Sequence, residues 1–264
     1  MNDLIQWDGA KYWNRAWNPI IGCRKCSPAC ANCYAAALVE GRFKQSFLPH
    51  VTNKENPPRR GVVFCGNMTD LFGEWLDEDF LRFDGSVEYI KRSLGYSDRA
   101  VYLWLTKRVK SMCDALNNGR VILKGDDDCD YAFIDCEMRN QFFGFTAENQ
   151  EMLDIRLLDF SCFFPEWANG WISAEPLLGP LDLYGLECVH GEKQRVKWLV
   201  VGSESGDDRR PCEIEWVRKI VAQCKFFGIP VFVKQLEIGG RCERDISKFP
   251  EDLRIRQVPW GDIL

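Results

Sequence analysis

The sequence predicts an α/β fold: a parallel (β/α) barrel, full or partial and TIM-like, formed as one domain over residues 1–264. Three observations carry that expectation. Short apolar or β-branched runs bounded by turn residues recur along the chain and read as strands. Helix-compatible segments separate them. The runs lie roughly 30 to 40 residues apart, the kind of spacing that parallel neighbours need for their crossover connections.

The clearest strands are Gly61–Cys65 (GVVFC), Val101–Thr106 (VYLWLT), Gln141–Thr146 (QFFGFT), Gly170–Ala174 (GWISA), Lys197–Gly202 (KWLVVG) and Ile229–Lys234 (IPVFVK). A weaker first strand is expected at Asn18–Gly22. Between them, Ile214–Phe227 is the best helix, because Ile214, Val217, Val221, Cys224 and Phe227 fall on one face and Gly228 ends it. Val109, Met112 and Leu116 form a similar stripe closed by Gly119, and Asn149–Phe160 is helix-compatible. Such stripes read as core-facing surfaces. Roughly seven βα units fit a barrel, while a doubly wound open sheet is the alternative that periodicity leaves open. Residues 17–236 read as the core of the domain and 237–264 as a C-terminal tail. Asn53–Arg60 (NKENPPRR) reads as a loop and Lys124–Asp130 (KGDDDCD) as a solvated turn or insertion.

A chain of 264 residues with 46% hydrophobic content can bury a substantial core. It contains no run of 18 or more apolar residues, and its N-terminus lacks the layout of a secretory signal. The expectation is a cytoplasmic protein with no membrane partner. The thirteen cysteines are then reduced thiols rather than a disulfide framework. Cys65, Cys113, Cys136, Cys162, Cys188, Cys224 and Cys242 stand singly and read as small buried hydrophobes. A net charge of −5 argues against an overall electrostatic grip on nucleic acid.

Other catalytic signatures are absent. Gly202-Ser203-Glu204-Ser205-Gly206 has Glu204 where a nucleophile elbow needs serine, and no G-x4-G-K-[ST] phosphate loop occurs. With only His50 and His190, a histidine-based triad or a multi-histidine metal site is not supported.

Cys23, Cys26, Cys30 and Cys33 instead cluster in the segment IIGCRKCSPACANCYAAALVEGRF. Free cysteines normally disperse through a core. A structural zinc site usually pairs two C-x2-C knuckles across a longer loop than the one here. A tight thiolate loop suits a cubane iron–sulfur cluster, which presents several corners to neighbouring thiolates.

Strand ends supply the other candidates, since parallel barrels build their sites at the C-terminal ends of the strands. In chain order these are Asn67, Met68, Thr69 and Asp70, then Lys107 and Arg108, then Glu148, Asn149 and Gln150. Glu175, then Ser203, Glu204 and Ser205, and finally Lys234 and Gln235 complete the set. Arg24, Lys25, Lys107, Arg108, Arg209, Arg210 and Lys234 would make a basic mouth on an acidic protein, fit for an anionic substrate. The alternative is solvated ion pairs with Asp207, Asp208 and the strand-end glutamates.

The motifs WNPIIGC, SPACANCYA, NMTDLF, LTKR, TAENQ, AEPLLGP, GSESG and VFVKQL occur in that order from Trp17 to Leu236. Through them the chain resembles a phage-associated, radical-SAM-like family. The resemblance implies a barrel of the radical-SAM type holding a [4Fe-4S] cluster on three thiolates, with one iron left open for S-adenosylmethionine. Reduction of the cluster then gives a 5′-deoxyadenosyl radical. The family spacing C-x6-C-x2-C maps onto Cys23, Cys30 and Cys33, whereas the generic superfamily spacing would begin at Cys26. Asn32 stands where many such enzymes carry an aromatic residue, and Tyr34 follows the last cysteine instead.

The resemblance also implies roles for the strand ends. Asn67, Thr69 and Asp70 would hold the methionyl amino group, Lys107 or Arg108 its carboxylate, and Glu148 or Asn149 the ribose hydroxyls. Glu175, Glu204 and Lys234 are left for substrate orientation or proton transfer. The implied partners are an anionic small molecule or nucleic acid as substrate and an external reductant such as flavodoxin or ferredoxin. Two rivals remain: a non-catalytic protein with a zinc knuckle, and a four-cysteine iron–sulfur electron carrier or sensor.

Overall fold

A computed structural model describes residues 10–74, 89–90, 92–93, 99–118, 123–124, 130–131, 138–187 and 194–261. Eight strands form one curled sheet: β1 (Arg15–Trp17), β2 (Gly61–Cys65), β3 (Ala100–Thr106), β4 (Gln141–Thr146), β5 (Asn169–Ala174), β6 (Val196–Gly202), β7 (Val231–Ile238) and β8 (Arg241–Glu243). Every neighbouring pair is parallel except β7 with β8. Spatial order follows chain order throughout. A doubly wound sheet would reverse its order at a switch point. The sheet is therefore a half-barrel of the TIM-like kind, which decides between the two alternatives.

Alternation along the strands explains both faces. Tyr102, Trp104, Phe143, Phe145, Ile172, Leu199, Val201, Val231 and Val233 pack toward α1 (Val109–Asn118), α2 (Gln150–Phe163) and α3 (Ile214–Phe227). The helices answer with Met112 and Leu116, Leu153 and Phe160, and Val217 and Ile220. Gly228, in the left-handed conformation at φ 66°, ends α3 by donating to the Cys224 and Lys225 carbonyls. On the opposite face, Phe64, Leu103, Phe142, Trp171, Trp198 and Phe232 close around Tyr12 and Trp260. The inside of the half-barrel is thus packed aromatic core rather than a channel.

Gly144 makes that packing possible. A Cβ there would stand 2.5 Å from Nε1 and 2.6 Å from Cδ1 and Cδ2 of the fully buried Trp171. The indole cannot retreat, because its Nε1 donates to the Trp104 and Phe142 carbonyls at 3.0 and 3.2 Å. Gly144→Ala is expected to cost about 1–3 kcal/mol by overpacking. A thermal melt checks this, and an unchanged midpoint would refute the packing described.

Three expectations are corrected. The first strand is Arg15–Trp17, not Asn18–Gly22; Ile20–Ile21 makes a separate antiparallel ribbon with His50–Val51. The buried Asn18 amide turns the chain out of the sheet, donating to Asn67 Oδ1 at 2.7 Å and accepting from the Met68 amide at 3.1 Å. The C-terminal segment is not a loose tail. Phe249, Leu253 and Trp260 are buried, and Gln257 and Val233 exchange backbone bonds with the Val231 and Ile255 carbonyls. Cys162 is exposed and Cys242 half-buried, while Cys65, Cys113 and Cys224 are buried as expected. Cys136, Cys188, His190 and Gly119 lie outside the described residues, as do residues 125–129 of the expected turn, whose flanks Leu123–Lys124 and Asp130–Tyr131 pair antiparallel. Among the described residues no helix is long and apolar enough to cross a membrane.

Candidate functional site

Residues 22–34 form a loop over the C-terminal ends of β2, β4 and β6. Gly22 starts it at φ 100°, where an added Cβ would meet the Leu48 carbonyl oxygen at 2.2 Å, so only glycine fits. Its amide donates to the Met68 carbonyl at 3.0 Å, and its carbonyl accepts from Thr69 Oγ1 at 2.6 Å. Pro28–Cys30 is a turn of 3-10 helix, Cys33 precedes the short helix Tyr34–Ala36, and a π-helical turn, Ala37–Arg42, follows.

Two buried carboxylates hold the middle of the loop. Glu148, just past β4, is fully buried, bonds the Arg156 guanidinium of α2 and accepts from the Ala29 amide at 3.4 Å. Burial pushes its carboxyl up, but Arg156, Ser27 and Lys107 outweigh burial and hold it below the usual range. Glu204, past β6, accepts from the Arg210 amide at 2.8 Å, from Arg210 Nε at 2.9 Å and from Asn32 Nδ2 at 3.1 Å. Arg210 in turn donates to the Pro28 carbonyl at 2.9 Å, and Asn32 to the Asp208 carbonyl at 2.7 Å. Glu204 also lies below the usual carboxylate range, because Arg210 and Asn32 overcome burial.

The thiols differ in surroundings. The neighbouring Cys26 thiol holds the Cys30 thiol down at about 4, opposed by burial and aided by Lys107 and Ser27. The same interaction pushes Cys26 upward. Cys23 is pushed up to about 12, mainly by burial and then by Asp70. Cys33 packs beside the small apolar cluster of Ala35, Val39 and Met68. Among the described residues no three Cys, His, Asp or Glu side chains converge into a metal-binding arrangement. The donor chemistry of the loop nonetheless fits a thiophilic metal group, since soft thiolates select zinc, copper(I) or iron–sulfur clusters. Cys30 interacts electrostatically with both Cys23 and Cys26 across the loop.

The remaining strand ends divide sharply. Asp70 is saturated: its Oδ1 accepts from the Phe72 amide at 3.0 Å and Thr106 Oγ1 at 2.8 Å, and its Oδ2 from the Lys107 amide and Arg108 NH1 at 3.1 Å. Arg108 is spent on Asp70, on Glu74 at 2.6 Å and on the Arg24 carbonyl at 3.1 Å. Asn149 caps α2, its side chain accepting from the Met152 amide at 2.9 Å. The Asn67 carbonyl accepts from the Tyr34 hydroxyl. Lys107, by contrast, faces Cys23, Cys30 and Glu148 and forms no ion pair among the described residues.

Glu175 and Lys234 meet on the inner face. Lys234 Nζ lies 2.9 Å from Glu175 Oε1, and the Tyr12 hydroxyl donates to Glu175 Oε2 at 3.2 Å. The ammonium also sits over the Tyr12 ring, 5.5 Å from its centroid. Burial and then the Glu175 charge push Tyr12 well above the ordinary phenol value, so it stays protonated. Of the expected basic mouth, Arg108, Arg210 and Lys234 are neutralised by Asp70, Glu204 and Glu175, and Arg209 donates to the Gly206 and Gly240 carbonyls.

Tyr12, Asn32, Tyr34 and Arg156 were not among the expected site residues. Arg156 carried a readable signal, because it shares the buried stripe of α2 with Leu153, Leu157 and Phe160 and so demands a buried carboxylate.

No curated protein and no solved structure matches the chain. A family model described as "Protein of unknown function (DUF5131)" matches residues 8–251, and the chain belongs to that family.

Proposed function

We propose that this half-barrel is a radical-SAM-type enzyme whose loop binds a [4Fe-4S] cluster through Cys23, Cys30 and Cys33. The observation that carries the reading is the position of the four-thiol loop, fixed over the C-terminal ends of parallel strands with the strand-end polar groups around it. When bound, the cluster and S-adenosylmethionine supply one-electron reductive chemistry that yields a 5′-deoxyadenosyl radical. The electron comes from an external reductant of the flavodoxin or ferredoxin class.

The chain's own groups then do the following. Lys107 offers the cation for the methionyl carboxylate, because Arg108 is already spent on Asp70 and Glu74. Glu148 and Glu204 position the loop instead of meeting a ligand. Glu175, between the Tyr12 hydroxyl and the Lys234 ammonium, is placed for proton transfer at its Oε atoms, and an anionic substrate, nucleotide or nucleic acid, would be oriented by Lys234 in competition with Glu175. The position of Cys26 in the same loop, where it acts electrostatically on Cys30, favours a second reading, a four-thiolate zinc or iron–sulfur site with no open position.

Anaerobic reconstitution with iron and sulfide, followed by electron paramagnetic resonance of the reduced protein, tests the proposal. A [4Fe-4S] signal that changes on adding S-adenosylmethionine, with 5′-deoxyadenosine released, is the expected result. A colourless protein carrying zinc, with neither signal nor product, would overturn it.

A further inference from the structure

Two adjoining depressions, about 510 and 600 Å³, lie away from the cysteine loop, along the outer edge of β1. They share Ala16 and Pro58 and together run beside Asn14–Trp17 and residues 53–60. Among the described residues β1 ends the sheet and pairs with β2 alone, while Tyr89 packs on Trp17 and Arg92 donates to the Glu55 carbonyl at 3.0 Å at the Trp17 end of the groove.

We infer that this groove is a binding site for the phosphodiester backbone of a single-stranded nucleic acid. The first argument is charge. In a chain of net charge −5, the lining carries Arg59 and three further exposed cations, Arg15, Lys54 and Arg60, against one carboxylate, Glu55. These three cations form no ion pair among the described residues, whereas Arg108, Arg156, Arg210 and Arg218 are each matched by carboxylates. Unneutralised guanidinium groups lining a groove are suited to phosphate, which they grip as a planar fork. Asn14, Asn53 and Asn56 add amide side chains of the kind that commonly contact phosphate and sugar.

The second argument is shape. Both depressions are shallow and open, and two that share a wall suit a linear polymer better than an enclosed small molecule. Arg15 and Trp17 lie about 7 Å apart along the strand, on the scale of one nucleotide step. Lys54 is fixed at the Trp17 end, where its carbonyl accepts from Trp17 Nε1 at 2.9 Å. Thr52 Oγ1 pins the same crossing to the Asn18 carbonyl at 2.7 Å. The walls are therefore set before any ligand arrives. This inference stands independently of what the cysteine loop holds.

Fluorescence anisotropy of a labelled single-stranded oligonucleotide, titrated with the full-length protein at several salt concentrations, tests it. Arg15→Glu combined with Arg60→Glu should weaken binding about tenfold or more and flatten the dependence of log K on log salt by about two units. Lys54→Gln should flatten it by about one. Circular dichroism melts establish that each variant is folded. Single substitutions to Gln at Arg15 and Arg60 provide the same reading if the double reversal does not fold. Absence of binding at low salt, or binding whose strength and salt slope ignore these substitutions, would overturn the inference. So would equal competition by polyglutamate, which would mark the groove as a site for acidic peptides.

Discussion

Replacing Arg156 by methionine is expected to destabilise the protein by about 3–5 kcal/mol, because it strands the Glu148 charge in a site with no solvent. That is a large part of the roughly 5–15 kcal/mol by which a domain of ordinary stability is folded. The midpoint of thermal unfolding should fall by about 10 °C. The pH dependence gives the effect a signature. In the native protein the Glu148 carboxyl is held below its ordinary value, so the pair's contribution is present above about pH 4.3 and is lost as pH falls through the depressed value. In Arg156→Met the carboxyl keeps its burial but loses its cation, and its pKa rises. Stability of the variant should then improve on going from pH 7 to pH 5, where the native protein shows no such gain. Melts at the two pH values check this. A variant that is less stable but has an unchanged pH profile would mean that Arg156 matters only for packing and for its bond to the Thr146 carbonyl. Substituting Glu148→Leu together with Arg156→Met should recover much of the loss, since an apolar pair leaves no charge to strand.

The second large effect concerns the thiols. Alanine at Cys23, Cys30 or Cys33 should each abolish iron binding after anaerobic reconstitution, while Cys26→Ala should keep nearly the full iron and sulfide content. The apo forms should melt close to the native protein, because the loop's anchors are Thr69, Glu148, Glu204 and Arg210 and not its sulfurs. Iron and acid-labile sulfide per chain, with the melt of the same sample, read both halves. Loss of iron in Cys26→Ala equal to that in the other three would support the four-thiolate reading and remove the open iron. A collapse of the apo fold in all four would make the thiols part of the packing.

Strands with both faces buried were legible because burial on two sides leaves continuous apolar runs such as VYLWLT and KWLVVG. β1 and β8 were not. The sequences Arg-Ala-Trp and Arg-Cys-Glu, three residues each at the sheet's edges, carry neither alternation nor an apolar run. The packed C-terminal segment was hidden for a similar reason, since Phe249, Leu253 and Trp260 fill separate gaps without a common period. At the site, the strand-end rule picked out Asp70, Glu148, Glu175, Glu204 and Lys234 as polar groups of consequence. It could not say in which direction each would be satisfied. That depends on partners distant in sequence: Ala29 for Glu148, Asn32 for Glu204, and Tyr12 for Glu175. Local pattern contains no record of such pairings.

The cysteine loop is fastened at four separated stations: Thr69 after β2, Arg108 after β3, Glu148 after β4 and Glu204 after β6. Three feet already define a plane, and a plate fastened at a fourth cannot rock. The loop therefore has no orientation of its own: it takes its tilt from the curvature of the sheet. Any partner or substrate that opened or tightened the half-barrel would spread or gather those feet and turn the thiols with them.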